Sequence, residues 1–355
     1  MPHPVNLAEL TTLRLGGPAP HLVRAGTPEE VADAVGGLGD VLILGGGSNL
    51  VVADAGVSMP VVKIAIGGID RRPASTGDAT TLVTLGAGLD WDQVVAELTE
   101  DGFAGLAPLS GIPGSVGATP VQNVGAYGAE IADFLVGVTV FDRPAARILT
   151  LSAADLHLGY RSSVLRGTDR AVVLDVTFRL HRRPTEVRYA ELAAALGLQP
   201  GGIAPGQQVR DAVLSLRRRK GMVLDPTDPD TTSAGSFFTN PILDRAALDQ
   251  AVRAIADRLG PGTVPPAYPA DRGTKLSAAW LIDKAGFAKG HQGPGGRVAI
   301  SSKHTLALVN RGTGSTADLL ALAREIRDGV QAAFGVRLEP EPVFVGVSLD
   351  DDCIG

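Results

Sequence analysis

The stretch that most constrains the fold is residues 102–129, which contain no charged residue and are rich in glycine. The stretch is long enough to cross a membrane, but Pro108, Pro113 and Pro120 interrupt it. A helix in lipid needs its backbone hydrogen bonds intact, so this pattern argues against a membrane span. In a soluble protein, a long uncharged and glycine-rich segment is typical of loops that cradle a ligand.

Composition excludes several other classes of protein. A net charge of −6 argues against nucleic acid as a partner, since phosphate binding needs a basic face. Cys353 is the single cysteine and the six histidines are scattered, so we expect no disulfide and no metal site. The N-terminus lacks the pattern of a signal peptide, which predicts a cytoplasmic protein.

Three helix starts can be identified from capping residues. Thr27, followed by a first-turn proline and the capping-box residue Glu30, begins the first, and Asp90 and Ser315 begin two others. Apolar residues then repeat at helical spacing, in the first helix through Leu38. A further helix is predicted from about Gln208 to the basic run at residues 217–220. Strands are predicted at residues 41–44, 60–66, 81–85, 136–142, 171–180, 304–310 and 342–347.

Because strands and helices are mixed without strict alternation, the pattern favours an α+β fold over a doubly wound sheet. The first glycine loop, residues 45–50, follows the strand at 41–44. It consists of Gly45, Gly46, Gly47, Ser48, Asn49 and Leu50. Successive N–H groups without side chains can hold a pyrophosphate, although a plain turn between strands is an equally good interpretation. The loop is not a Rossmann fingerprint, because Leu50 replaces the third glycine.

A second set of glycines strengthens the ligand interpretation. The second glycine loop, residues 110–118, is followed closely by another glycine-rich segment at 122–128. Its candidate contacts are Ser110, Gly111, Ile112, Pro113, Gly114, Ser115, Gly117, Ala118, Asn123, Gly125, Ala126 and Tyr127. An irregular buried loop must satisfy its backbone hydrogen bonds, and an extended dinucleotide such as FAD would provide partners.

The ordered motifs resemble the UDP-N-acetylenolpyruvoylglucosamine reductase family over nearly the whole chain. The supporting segments are residues 12–17, 44–50, 110–128, 159–163, 235–241, 279–283 and 338–341. The resemblance implies non-covalent FAD in a vanillyl-alcohol-oxidase-type fold, a substrate-binding α+β domain and NADPH as co-substrate. It also implies peptidoglycan precursor synthesis, in which UDP-N-acetylglucosamine-enolpyruvate is reduced to UDP-N-acetylmuramate.

The resemblance assigns three catalytic roles. A hydride passes from NADPH to the flavin and then to the vinyl carbon of the substrate, and Ser236 protonates the adjacent carbon. Arg161 would face the substrate carboxylate, for which the planar guanidinium is suited, and Glu341 would lie beside the developing enolate. Relatives often have Val-Arg after this glutamate, whereas Pro342 and Val343 follow it here, so the role of that arginine is not transferred.

Four residues are expected to bind substrate: Tyr160, Tyr189, Lys220 and Asn240. The resemblance makes Lys220 a ligand of phosphate, while a basic last turn also simply complements a helix dipole. Tyr189 resembles the tyrosine of a loop that folds over the nucleotide in one subtype of the family. A packing role for Tyr189 and a structural role for Asn240 remain open.

Three domains are expected: residues 1–68 and 69–214 as two FAD-binding subdomains, and 215–340 as the substrate-binding domain. The C-terminal strand, within 341–355, would return to the first. No obligatory protein partner is evident. Two alternatives remain, an FAD-dependent oxidase of the same fold and a nucleotide-sugar-binding protein without catalysis. The glycine loops contain no histidine or cysteine for covalent flavin attachment, which disfavours the oxidase.

Overall fold

The computed structural model describes residues 5–37, 39–74, 80–270 and 272–350. Its α-helices, numbered α1 to α7, are Pro28–Val35, Trp91–Glu100, Ala190–Ala195, Gly206–Arg219, Arg245–Leu259, Ala278–Ala285 and Thr316–Phe334. Short 3-10 helices are Leu7–Leu10, Ala104–Leu109, Val116–Ala118, Ile131–Asp133, Pro229–Thr231 and Pro294–Gly296. Leu38 and Cys353, named in the sequence analysis, lie outside the described residues.

The strands are numbered β1 to β22 in chain order. They are Val5–Asn6, Pro18–Ala19, Leu22–Ala25, Leu42–Leu44, Leu50–Val52, Val61–Ile64, Ile69–Pro73, Thr80–Gly86, Gly125–Ala126, Ala129–Glu130, Leu135–Asp142, Arg147–Ser152, Ala171–His181, Thr185–Val187, Gly202–Ala204, Ser233–Ser236, Ile242–Leu243, Ala267–Ala270, Gly273–Leu276, Val298–Ile300, Ala307–Asn310 and Val343–Val345. The predicted α+β class is confirmed.

The predicted helix caps are confirmed, with one difference. Thr27, Asp90 and Ser315 each accept a hydrogen bond from the backbone N–H three residues on. In a capping box the Glu30 carboxylate would accept a hydrogen bond from the N–H of Thr27. Here it accepts from the N–H of Gly26, one residue earlier, at 2.6 Å. The strand predicted to begin at residue 304 begins only at Ala307, since a turn from His304 precedes it.

The chain packs into two compact units. The first contains Ala19–Gly47 and Ser58–Val223. A parallel sheet in the order β3-β6-β4 and an antiparallel sheet in the order β12-β11-β13-β8-β7 form its framework. Buried Trp91 and Phe178 pack against each other in its main core, at 6.0 Å between ring centroids.

The second unit contains Asn6–Pro18, Ser48–Val57 and residues 224–350. Helices α5 and α6 pack on α7, whose apolar face enters one core. Strand β22 pairs in parallel with β5, directly after the first glycine loop. The expected division into three domains stays a prediction.

Residues 102–129 form 3-10 turns and the short strand β9 and begin β10. Within the described part of the chain, no helix combines the length and apolar character needed to cross a bilayer. The same residues contain no cluster of three or more histidine, cysteine or acidic side chains that could hold a metal ion.

Candidate functional site

The two glycine loops meet backbone to backbone in the first unit. A Cβ atom on Gly46 would lie 2.4 Å from the Cα of Gly114, and one on Gly45 would lie 2.6 Å from Oγ of Ser115. Real Cβ atoms do not approach so closely, so glycine is needed here for the contact itself. The two loops are therefore in direct contact, while their binding of one ligand stays a prediction.

Backbone hydrogen bonds fix the second glycine loop on the segment that leads from β8 into α2. Trp91 donates to Gly114 at 3.0 Å, while Val116 and Gly117 donate to the carbonyls of Leu89 and Ala87, each at 2.9 Å. The indole N–H of Trp91 donates to Leu109 at 3.0 Å. The loop is thus tied on both sides of Gly114 before any ligand is considered.

Lys63 supports the first glycine loop, a role that the sequence analysis missed. Its Nζ donates to the carbonyl of Gly45 from the neighbouring strand β6. Burial and the nearby Arg24 hold the pKa of Lys63 below its usual value. A lysine inside the apolar run of β6 was the available signal, because such a side chain needs a specific partner.

Arg217 is a second residue that sequence reasoning did not assign. Its side chain is buried, Nη2 donates to Met222 at 2.8 Å, and Nε has no hydrogen-bond partner. A Cβ on Gly111 would lie 3.3 Å from this Nε. Burial lowers the pKa of Arg217. An unsatisfied donor of a buried guanidinium beside a glycine turn fits an acceptor group of a bound ligand.

Asn123 is hydrogen-bonded to Gly159, in the turn that leads to Arg161. The Asn123 amide donates to Glu130 at 2.9 Å and to the carbonyl of Gly159 at 3.1 Å, and its oxygen accepts from Ala132 at 3.1 Å. Arg161 follows in a left-handed conformation (φ 50°) and its Nη2 donates to Gly125 at 3.2 Å. Asn123 therefore fixes the turn that presents Arg161.

Tyr127, Tyr189 and Lys220 form a cluster in the first unit. The two rings meet edge to face at 5.6 Å, and the Lys220 ammonium lies 5.8 Å from the Tyr127 ring. Lys220 also pairs with Glu191 at 2.7 Å. Burial raises the pKa of Tyr127 to about 12, so its phenol stays protonated at neutral pH. Tyr189 is 45% exposed, which leaves its ring accessible.

In the second unit, Ser236 and Glu341 are brought together. Ser236 ends β16, and the next residue, Phe237, accepts a hydrogen bond from the N–H of Glu341 at 2.9 Å. Phe237 and Phe238 are buried, with ring centroids 5.2 Å apart. Across the described residues, no hydrogen bond engages the Ser236 hydroxyl. A serine hydroxyl fixed by its backbone and next to buried aromatic rings can donate to a bound molecule.

Two other predicted residues of this unit have structural contacts. The Asn49 amide donates to the carbonyl of Glu341 at 3.4 Å, and the Asn49 carbonyl accepts from Val343 at 2.9 Å. The oxygen of Asn240 accepts from Ala278 at 2.9 Å, in the first turn of α6. Asn240 can still donate from its amide nitrogen. Residues 48–50 belong to this unit, while residues 45–47, 110–127, 160, 161, 189 and 220 belong to the first.

Comparison with known proteins identifies two family models in the chain. Residues 19–152 match the model of an FAD binding domain, and residues 225–345 match the C-terminal domain of UDP-N-acetylenolpyruvoylglucosamine reductase. The reductase of Saccharopolyspora erythraea is 56% identical, over 97% of this chain and 95% of the relative. The reductase of Thermobifida fusca is 52% identical, over 97% of this chain and 98% of the relative.

Similarity extends to a solved structure. The crystal structure of the reductase from Thermus caldophilus superposes with a TM-score of 0.65 at 27% identity. The match covers 97% of this chain and 98% of the other.

Proposed function

Since the chain belongs to the UDP-N-acetylenolpyruvoylglucosamine reductase family, we propose a residue-level mechanism for this activity. The protein is an FAD-containing oxidoreductase that reduces UDP-N-acetylglucosamine-enolpyruvate, with NADPH as co-substrate, in peptidoglycan precursor synthesis. Bound FAD supplies the hydride for the vinyl carbon. The roles of individual residues in this reaction are proposed below from their contacts.

Ser236 is the proton donor of this mechanism. The observation that carries the assignment is the hydrogen bond from Glu341 to Phe237, which holds a carboxylate-bearing residue beside the serine within one unit. Ser236 would protonate the carbon next to the substrate carboxylate as charge develops there. Buried Phe237 and Phe238 would limit access of water to the hydroxyl.

The first unit would hold the cofactor and the anionic groups of the substrate. The glycine loops and the buried Arg217 fit a pyrophosphate or another acceptor-rich group of FAD. Arg161 would bind the substrate carboxylate, and Lys220 a phosphate, after release from Glu191. The exposed Tyr189 beside Tyr127 supports the subtype in which a tyrosine loop covers the nucleotide.

We extend the proposal to a cytoplasmic location, because NADPH is a cytoplasmic reductant, and to action without an obligatory protein partner. The activity is tested under nitrogen in two steps. Adding NADPH should bleach the visible flavin band, and adding the enol ether should restore it. A colourless protein that cannot be reconstituted with FAD would contradict the flavoenzyme function, and recovery with oxygen alone would indicate an oxidase.

The role of Ser236 is tested by Ser236→Ala in the same assay. Bleaching by NADPH should be unchanged, while recovery with the enol ether should slow about 10²- to 10⁴-fold, the usual contribution of a positioned acid. Ser152→Ala, on the edge strand β12, is the matched control and should behave as wild type. Normal recovery in Ser236→Ala would exclude the serine as proton donor.

A further inference from the structure

One carboxylate joins the second glycine loop to two helices of the first unit. Asp92, in the first turn of α2, accepts from the N–H of Gly111 at 2.6 Å. The same carboxylate accepts two hydrogen bonds from Arg210 of α4, at 2.5 Å and 3.0 Å. The Arg210 side chain is only 12% exposed. Two parallel hydrogen bonds between guanidinium and carboxylate fix orientation as well as distance.

Gly111 leaves little freedom at this point. Its φ is 72°, and a Cβ there would lie 2.9 Å from the side chain of Leu214 on α4. The loop is therefore confined between Asp92 on one side and α4 on the other. A movement of Asp92 would change the distance between loop and helix.

Helix α4 also carries Arg217, and Lys220 follows directly at its C-cap. Burial alone would raise the pKa of Asp92, but hydrogen bonds from Arg210 and Gly111 and the charge of Arg217 hold it below the usual value. Asp92 is therefore ionised at neutral pH. Its negative charge balances the buried guanidinium group of Arg217 as well as that of Arg210.

We propose that Asp92 is a positioning residue of the cofactor site, which holds the second glycine loop against α4 in the arrangement that binds FAD. This inference rests on the proposed contact between that loop and the cofactor. If Asp92 positions the loop, removing its charge should weaken FAD binding. Electrostatic repulsion alone predicts tighter binding after that removal, because a carboxylate near an anionic dinucleotide opposes binding. The sign of the effect of removing the charge therefore separates positioning from simple charge repulsion.

The test compares FAD dissociation constants of the refolded or deflavinated apoproteins by quenching of flavin fluorescence. Asp92→Asn keeps an acceptor for Gly111 but loses the ionic pair with Arg210, and FAD binding should weaken about 10- to 100-fold. Arg210→Gln should weaken binding to a similar extent. The double variant should be no weaker than the poorer single variant, since both act through one contact.

Asp101→Asn is the matched control. Asp101 caps the end of the same helix and pairs with Arg71 at 2.8 Å on the protein surface, so its change should alter FAD affinity less than about twofold. Folded Asp92→Asn that binds FAD as wild type does, or more tightly, would overturn the inference. Equal losses of FAD affinity in Asp92→Asn and in the control Asp101→Asn would also overturn it. Failure of the wild-type apoprotein to bind FAD would instead reject the proposed function.

Discussion

The two glycine loops are held by side chains of opposite charge. The ammonium group of Lys63 binds a carbonyl in the first loop, whereas the carboxylate of Asp92 binds an N–H in the second. In both cases the side chain comes from a neighbouring regular element, β6 or α2. An irregular backbone is thus fixed in part by charged groups that lie outside the loop.

The difference in charge has a consequence for ligand binding. A cation beside the first loop assists an anionic ligand directly, while an anion beside the second loop can assist only through geometry. Removing Lys63 should therefore weaken FAD binding by loss of attraction as well as by loss of loop support. Removing Asp92 should weaken FAD binding by loss of loop support, although loss of its negative charge acts in the opposite direction.

The largest effect is expected where the loops touch. Gly46→Ala would force a Cβ against the backbone of Gly114, which no side-chain rotation can relieve. We expect the free energy of unfolding to fall by about 3 kcal/mol and FAD to be lost on purification. Gly67→Ala is the control, because its Cβ would meet no atom within 4 Å. Urea denaturation measures the free energy of unfolding, and the flavin content of the purified protein measures retention of FAD. A yellow, stable Gly46→Ala protein would contradict the close contact.

A smaller effect is expected from Lys63→Met, which keeps the aliphatic length and removes the charge. FAD affinity should fall about tenfold, or about 1.4 kcal/mol, by fluorescence titration. The loss should diminish at high salt, because an attraction between charges is screened. The loss in Asp92→Asn should be less sensitive to salt. Equal salt dependence of the two variants would remove the distinction between the loops.

The smallest effect concerns the pH dependence of the apoprotein. The pKa of Lys63 is lowered in the folded state, so the unfolded chain binds more protons between that pKa and the usual 10.5. The free-energy cost of burying the charged lysine is therefore full below its pKa in the folded state and is relieved as pH rises through that pKa. The free energy of unfolding of wild type, minus that of Lys63→Met, should increase as pH rises from the lowered pKa of Lys63 toward 10.5. A difference that stays constant with pH would show that the pKa of Lys63 is not lowered in the folded protein.

Local signals predicted the regular elements of this chain well. The caps Thr27, Asp90 and Ser315 begin helices as expected, because a capping side chain acts within three residues of its own position. The run at 304–310 was predicted to begin too early, since Ser301 and its neighbours form a turn that hydropathy does not reveal.

The supports of the candidate site could not be predicted in this way. Asp92 and Arg210 meet from distant parts of the chain, and hydrophobic periodicity contains no information on such pairs. Arg217 was interpreted only as part of a basic last turn, whereas it lies on the buried face of α4 with Val213 and Leu216. Its burial depends on packing against the second glycine loop, which a helix pattern alone does not show.

The second unit has a further consequence for synthesis on the ribosome. Its segments Asn6–Pro18 and Ser48–Val57 emerge early, but their partners follow only from residue 224 onward. Strand β5, for example, pairs with β22 near the end of the described chain. These early segments must wait while Ser58–Val223 is translated and can assemble as the first unit. A chaperone that shields short apolar segments of a nascent chain would therefore act on these two segments, whose Leu13 and Val51 are completely buried in the finished protein.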